Sequence, residues 1–425
     1  MTAAIGRRSV LAGALGLAGA AMVPAAAQAE AERLRIVWWG NDDRTRRTTE
    51  VLKLYQAKAQ GAELVGEVSN AEYFPKLATQ LVGRSAPDIF QLEPGSFADF
   101  VQRGATLPLN ELMPKPIDTA GVPRDLLDLC ALDGKVWAIP HGLNSFALMY
   151  DTAVFKAAGI APPDDKTSWD DYAARMIELT KAAGRDQYWG SCDASGYGYA
   201  FQVWLRQRGA DLFTADRALG FGQDHAAEWF SYWDRMRKSG GCVPADIAAL
   251  SPDSTITQMP LIQGKAATSL AFSNQIVGMQ SATTAPLALT MFPNGGAGAK
   301  PGQFYRPASS WSIYARSKAP EAAAAFIGFF LNDPEAAKVL GVERGVPMSP
   351  ATRELILPTL TPVERATVDY VNFIADKVGP YPAPPPKGSQ QFGRVLKRVA
   401  DTVAFGTASI TDGAAQLMAD AGAIL

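Results

Sequence analysis

The sequence predicts an α/β protein with more than one domain, and three observations carry that reading. At 425 residues the chain exceeds what one ordinary core accommodates. Its first hundred residues alternate apolar, strand-like runs (34–39, 63–68, 87–92) with helical stretches (45–58, 71–81). Residues 152–290 then turn largely helical, as a second lobe would. A composition of 48% hydrophobic and 19% charged residues leaves ample apolar surface for burial and argues against disorder.

The N-terminus reads as an export signal over residues 1–29. Arg7-Arg8 precede an uncharged run to Gln28, and Ala27-Gln28-Ala29 forms a small-x-small cleavage site. The apolar part, residues 10–23, is shorter than a membrane-spanning helix requires. Paired arginines fit twin-arginine export, and a general secretory signal stays open. Net charge is −2, and loss of Arg7 and Arg8 takes it to −4. With no basic cluster, nucleic acid is a poor partner. Cys130, Cys192 and Cys242 show neither CxxC nor zinc spacing. Buried thiols are expected, with a Cys192–Cys242 disulfide as the alternative.

Taken in order, the first strand ends in Trp38-Trp39 and opens into Gly40-Asn41-Asp42-Asp43. A flat ring beside hydrogen-bonding groups at a strand's carboxyl end is where open α/β sheets hold ligands. Trp39, Asn41, Asp42 and Asp43 are therefore candidates, while Trp38 is expected in the core. The structural alternative is that the acidic pair caps the helix. The strand at 87–92 emerges at Glu93-Pro94-Gly95. Asp133-Gly134 signals a hairpin. His141 and His225 lack metal-ligand spacing, and a structural role is expected for His141.

In the second lobe, Ser168-Trp169-Asp170-Asp171 starts a helix, and Trp229, Phe230 and Trp233 form an aromatic face expected in the core. The loop at 190–199 mixes glycines with polar and aromatic residues, which makes Asp193, Ser195 and Tyr197 candidates. It contains neither GxSxG nor GxGxxG, so no nucleophile or dinucleotide role is assigned.

Residues 304–347 carry the densest signal. Ser312-Ile313-Tyr314-Ala315 alternates like a half-buried strand, Ser317 is a possible cap, and Pro320-Glu321 starts a helix. Asn332-Asp333-Pro334-Glu335 closes that helix and caps another, ending near Gly341. Arg344-Gly345-Val346-Pro347 cannot continue it, so Arg344 sits on a loop. An arginine with a nearby tryptophan, Trp311, suits a polar, flat-faced small molecule. Residues 380–386 read as a stiff surface passage before two C-terminal helices.

Taken together, the serine-rich strand (Ser309, Ser310, Trp311), Ser317-Lys318-Ala319-Pro320-Glu321-Ala322-Ala323, Asn332-Asp333-Pro334-Glu335-Ala336 and Arg344-Gly345-Val346-Pro347 resemble family 1 extracellular solute-binding proteins. These are receptors of carbohydrate ABC importers. Gly134-Lys135-Val136-Trp137-Ala138-Ile139-Pro140 and Gly264-Lys265-Ala266-Ala267 extend the resemblance over nearly the whole mature chain.

The resemblance implies a two-lobe periplasmic-binding-protein fold of type II-like arrangement, with discontinuous lobes joined by crossover strands. Residues 30–145 with about 290–345 would form the N-terminal lobe, and about 146–289 with 346–425 the C-terminal lobe. It adds Asn144 as ligand-facing and places Gln91 and Glu93 where a strand meets the cleft. Near Ser273 this chain lacks the tryptophan common in the family, and Asn274 is the hydrogen-bonding candidate instead.

The expected function is a monomeric periplasmic receptor delivering an oligosaccharide or glycoside to a membrane permease and its ATPase. It would act without chemistry, metal or cofactor. Arg344 leaves an acidic substituent open. An exported glycoside hydrolase using Asp42 and Glu93 is the alternative; it would need those carboxylates about 5 Å or about 6.5–9.5 Å apart. A receptor for a non-sugar solute is a third reading.

Overall fold

The computed structural model describes residues 32–58, 62–250, 255–383, 385–386 and 388–425. The export-signal reading of residues 1–29 lies outside them. The first lobe begins with β1 (Glu32–Trp38), β2 (Ala62–Val68) and β3 (Ile89–Leu92). A hairpin follows, β4 (Ala131–Leu132) and β5 (Lys135–Val136), turning through Asp133 and Gly134, both at positive φ as an Asp-Gly turn demands. Next come β6 (Ile139–Pro140), β7 (Leu143–Asn144) and β8 (Phe146–Asp151). The remaining strands are β9 (Thr268–Phe272), β10 (Leu287–Thr290), β11 (Arg306–Pro307) and β12 (Ser310–Ile313).

Among the described residues, the first lobe's sheet has the order β2-β1-β3-β12-β6. β1 runs parallel to β2 and β3, whereas β12 returns antiparallel to β3 and β6. Both faces are covered, so alternate residues enter different cores. Leu34, Ile36, Trp38 and Ile89 pack on one side, Val37 and Phe90 on the other. This corrects the strand expected at 312–315. The strand is Ser310–Ile313, buried at every position because it lies between β3 and β6 rather than at a half-exposed edge.

The second lobe holds the sheet β10-β8-β9, antiparallel throughout. Phe146 and Leu148 face one core, shared with the helices Gly198–Gln207, Gln223–Lys238 and Phe392–Ala404. Ala147 and Met149 face the opposite cluster, which includes Tyr370 and Ile374. Trp229, Phe230 and Trp233 are core residues, as their helical spacing predicted.

Between the lobes the chain passes at neighbouring positions. β7 pairs with β11, with Arg306 opposite Asn144, and Leu143 also bridges to Val346. The approach is close at Gly142, where a Cβ would stand 2.7 Å from the carbonyl carbon of Gly345, itself at φ +93°. Only glycine fits such a crossing. Beyond it, Ala337, Val342, Val346 and Ile356 cluster with Val368 and Val371, so the chain leaves the first lobe gradually.

Helix starts follow local chemistry. Ser168 forms a capping box with Asp171, and Asp333 accepts from the amides of Glu335 and Ala336. Ser317 does not cap the helix Pro320–Asn332; its hydroxyl donates to Asp88 Oδ1 at 2.7 Å.

Candidate ligand-binding cleft

A cleft of about 640 Å³ is lined by residues from both lobes. β3 leads straight into Glu93, which with Pro94 and Gly95 forms the first-lobe wall. The second lobe contributes Tyr197, Tyr199, Phe272 and Gln275, while Phe304 and Arg306 come from the crossing segment and Tyr381 from the proline-rich passage. Gln390 Nε2 donates to the Gly95 carbonyl at 2.7 Å, tying the C-terminal segment to the first-lobe rim.

Aromatic rings make the floor. Tyr199 lies 5.0 Å from Phe272 and 5.4 Å from Phe146, centroid to centroid. The Arg306 guanidinium carbon sits 4.9 Å from both the Tyr199 and the Phe272 ring centres. Glu93 precedes the helix Pro94–Gln102 yet spends no side-chain bond on capping it. Burial pushes its carboxyl upward, and the positive Arg306 partly offsets that. Burial likewise pushes the Tyr381 phenol up.

The residues singled out from sequence fall into distinct places. Glu93 and Tyr197 line the cleft. Asn144 pairs with Arg306 through the backbone, and its buried Oδ1 lacks a protein partner; so does Asn274 Oδ1. The two asparagines are close neighbours, because Ser273 N donates to the Ser145 carbonyl at 2.8 Å.

Trp39 packs on Tyr73 and Phe74 at the end of β1. Asn41 Oδ1 accepts from Arg44 N at 2.9 Å and so serves the helix Asp42–Lys58. Asp42 is exposed on that helix's first turn. Asp43 is paired with Arg46 at 2.6 Å and Arg47 at 2.8 Å; burial raises its carboxyl, but the two arginines outweigh that and hold it below the usual range.

Five further candidates are tied up inside the lobes, among them Gln91, which is 0% exposed within β3 and does not reach the cleft as expected. Trp311 is 1% exposed and packs on His141 and Phe330. Arg344, 2% exposed, donates to Gln91 Oε1 at 2.6 Å and to Thr48 Oγ1 at 2.7 Å. The expected loop arginine beside a tryptophan is real, at 5.1 Å, but it is buried in the first lobe. Asp193, with its carboxylate 1% exposed, is bound to Arg237 at 2.5 Å and accepts from Ser195 N. Ser195 in turn accepts through its carbonyl from Trp229 Nε1. The pair shapes the loop that presents Tyr197.

His141 is neutral: burial, then Arg344 and Arg44, push its imidazole well below the ordinary value. All three cysteines are buried outside any disulfide.

Sequence reasoning passed over Arg306, Phe272 and Tyr381. The only available signal for Arg306 was its place in the same dense stretch as Trp311. Tyr381 was read as part of a surface passage, whereas it packs against both lobes' cores.

Residues 50–359 match the family described as bacterial extracellular solute-binding protein. The chain belongs to that family. Solute-binding proteins of known structure share its fold. The family 1 member from Alicyclobacillus acidocaldarius is 29% identical, with 92% of this chain and 98% of that one covered and a TM-score of 0.78. A periplasmic oligogalacturonide-binding protein from Yersinia enterocolitica, solved with saturated digalacturonic acid, is 22% identical over 92% and 98% of the two chains, with a TM-score of 0.76. By sequence, the arabinooligosaccharide-binding protein of Bacillus subtilis is 26% identical over 168 residues, 39% of this chain and 37% of that protein. The chain spans about half or less of the length of the curated relatives it matches. Among the described residues of this solute-binding protein, no helix is long and apolar enough to cross a membrane.

Proposed function

We propose that this solute-binding protein is the periplasmic receptor for an oligosaccharide or glycoside, which it delivers to the permease and ATPase of an ABC importer. The observation that carries the reading is the cleft. Aromatic faces from Tyr199, Phe272 and Tyr381 suit the apolar face of a sugar ring, and Glu93 and Arg306 stand ready for its hydroxyls. The Bacillus relative's named ligand supports the same class.

Two lobes, residues 30–145 with about 290–345 and about 146–289 with 346–425, would close by bending the crossing segments at 143–146, 304–310 and 346. The ligand drives closure only through contacts that the closed state adds. The chain would be exported, cleaved near Ala29, and work as a monomer without chemical change to its ligand. For a hydrolase, Glu93 lines the cleft but Asp42, exposed on a helix start, does not. The expected second carboxylate is therefore elsewhere.

Thermal melting of the mature protein against a panel of oligosaccharides, amines and phosphodiesters tests the proposal, with small-angle scattering to follow closure. A carbohydrate should raise Tm, shrink the radius of gyration and be recovered intact. Turnover of the sugar, or stabilisation by non-sugars alone, would refute it.

A further inference from the structure

The charges that line the cleft sort into spent and unspent. Asp211 is held by Arg206 at 2.5 Å and by Gln202 at 2.8 Å. Arg206 also donates to the carbonyls of Gly302 and Pro380. That leaves Glu93 and Arg306. Among the described residues no carboxylate lies within ion-pair distance of Arg306, and its guanidinium has no hydrogen-bonded protein partner, unlike that of Arg206.

Arg306 is nevertheless held in place. Its backbone is fixed in the ladder with Asn144, and its guanidinium carbon stands 4.9 Å from the ring centres of Tyr199 and Phe272. With aromatic rings for neighbours, the N–H donors of its planar fork are left for a ligand. Such a fork matches a carboxylate with two parallel hydrogen bonds, a geometry that neither a hydroxyl nor an ammonium ion can complete. Glu93 feels the charge of Arg306 across the cleft without forming an ion pair with it, so the guanidinium keeps its hydrogen-bonding capacity for a ligand.

We infer that the natural ligand is an acidic saccharide, and that Arg306 receives its uronate carboxylate while Glu93, on the facing wall, binds hydroxyls. This rests on the carbohydrate reading above and narrows it. It also moves the anion-reading role from Arg344, which is buried and already bonded to Gln91 and Thr48, to Arg306. The two asparagine oxygens without partners, Asn144 Oδ1 and Asn274 Oδ1, are buried near the same crossing but outside the cleft lining.

The test uses the mature protein and calorimetric titration with matched saccharides. Galactobiose, digalacturonic acid and its methyl ester form one set; xylobiose and its glucuronic-acid-substituted counterpart form another. In at least one set the acid should bind roughly tenfold or more tighter than its neutral partner, as a charge-assisted pair implies. Added salt should narrow that gap. In Arg306→Gln the ratio of acidic to neutral affinity should collapse towards one, and in Arg306→Lys it should be partly kept. Circular dichroism and melting would establish that both variants fold.

Equal binding of acidic and neutral members by the unmodified protein overturns this inference and leaves the carbohydrate reading standing. So does an unchanged ratio in folded Arg306→Gln. If no saccharide of either kind binds, the carbohydrate reading falls first and takes this one with it.

Discussion

Arg344 Nη1 donates to Gln91 Oε1 at 2.6 Å, joining the loop after the helix Pro334–Leu340 to the middle of β3. A second bond to Thr48 adds the helix Asp42–Lys58, and His141 Nδ1 lies 3.2 Å away. Every acceptor is neutral. Burial, with Arg44 nearby, pushes the guanidinium down to about 9, so it stays charged at neutral pH.

Truncation at this position should therefore damage the fold and not ligand recognition. Arg344→Ala is expected to cost about 3 kcal/mol, since it strands buried polar partners and leaves a void. The urea midpoint should fall at constant slope. Saccharide affinity of the folded fraction should change less than about threefold, against the larger, charge-selective loss in Arg306→Gln.

The crossing is similarly intolerant of a single methyl group. At Gly345 a Cβ would meet Ala308 Cβ at 2.8 Å, on a backbone whose φ is +93°. Gly345→Ala should destabilise by about 1–3 kcal/mol through that clash and the strained dihedral. Its effect on Tm can be set against Gly134→Ala, where no atom lies within 4 Å of the added Cβ and only the positive φ is penalised.

Asp193 and Arg237 form a pair almost without solvent contact, their side chains 1% and 9% exposed. Removing one partner leaves the other charged and enclosed. Asp193→Ala should cost about 3–5 kcal/mol, and Arg237→Met on top of it should recover part of the loss. A double-mutant cycle in urea measures that coupling. The loop carrying Tyr197 should loosen in the single variant, and ligand affinity should drop with it.

Acid should expose the carboxylates whose ionised form the fold favours. At Asp333 burial raises the carboxyl, but Lys58 and the helix amides of Ala336 and Glu335 outweigh it, leaving the folded value depressed. A depressed acid stabilises above its unfolded value of about 3.9 and loses that contribution as pH falls through the folded value. Asp333→Asn should therefore melt below the unmodified protein at pH 7. The gap should persist to about pH 5 and shrink below about pH 4. A gap independent of pH would assign the effect to lost capping geometry alone.

Much of the architecture was written in local chemistry. The Asp133-Gly134 turn, the Ser168 box, Asp333 before Pro334 and the run into β3 each name their own structure, because a turn or a cap is decided by a few adjacent residues. The cleft was harder. Arg306 and Arg344 both sit near aromatic residues in one stretch, and their neighbours in sequence do not say which faces solvent. That depends on register: Trp311 falls opposite Gln91 inside the five-stranded sheet, whereas Arg306 falls opposite Asn144 at the crossing. A strand's pairing partners lie more than a hundred residues away, so its inward and outward sides are fixed only when the sheet is assembled.

The way the two sheets are threaded has a consequence for dissecting the gene. β12 completes the first sheet only after the chain has built β8, β9 and β10 of the second. No single cut therefore liberates either half as an uninterrupted polypeptide. A minimal version of one half would have to be written as a splice, with residues near 145 joined directly to those near 305 by a designed connector.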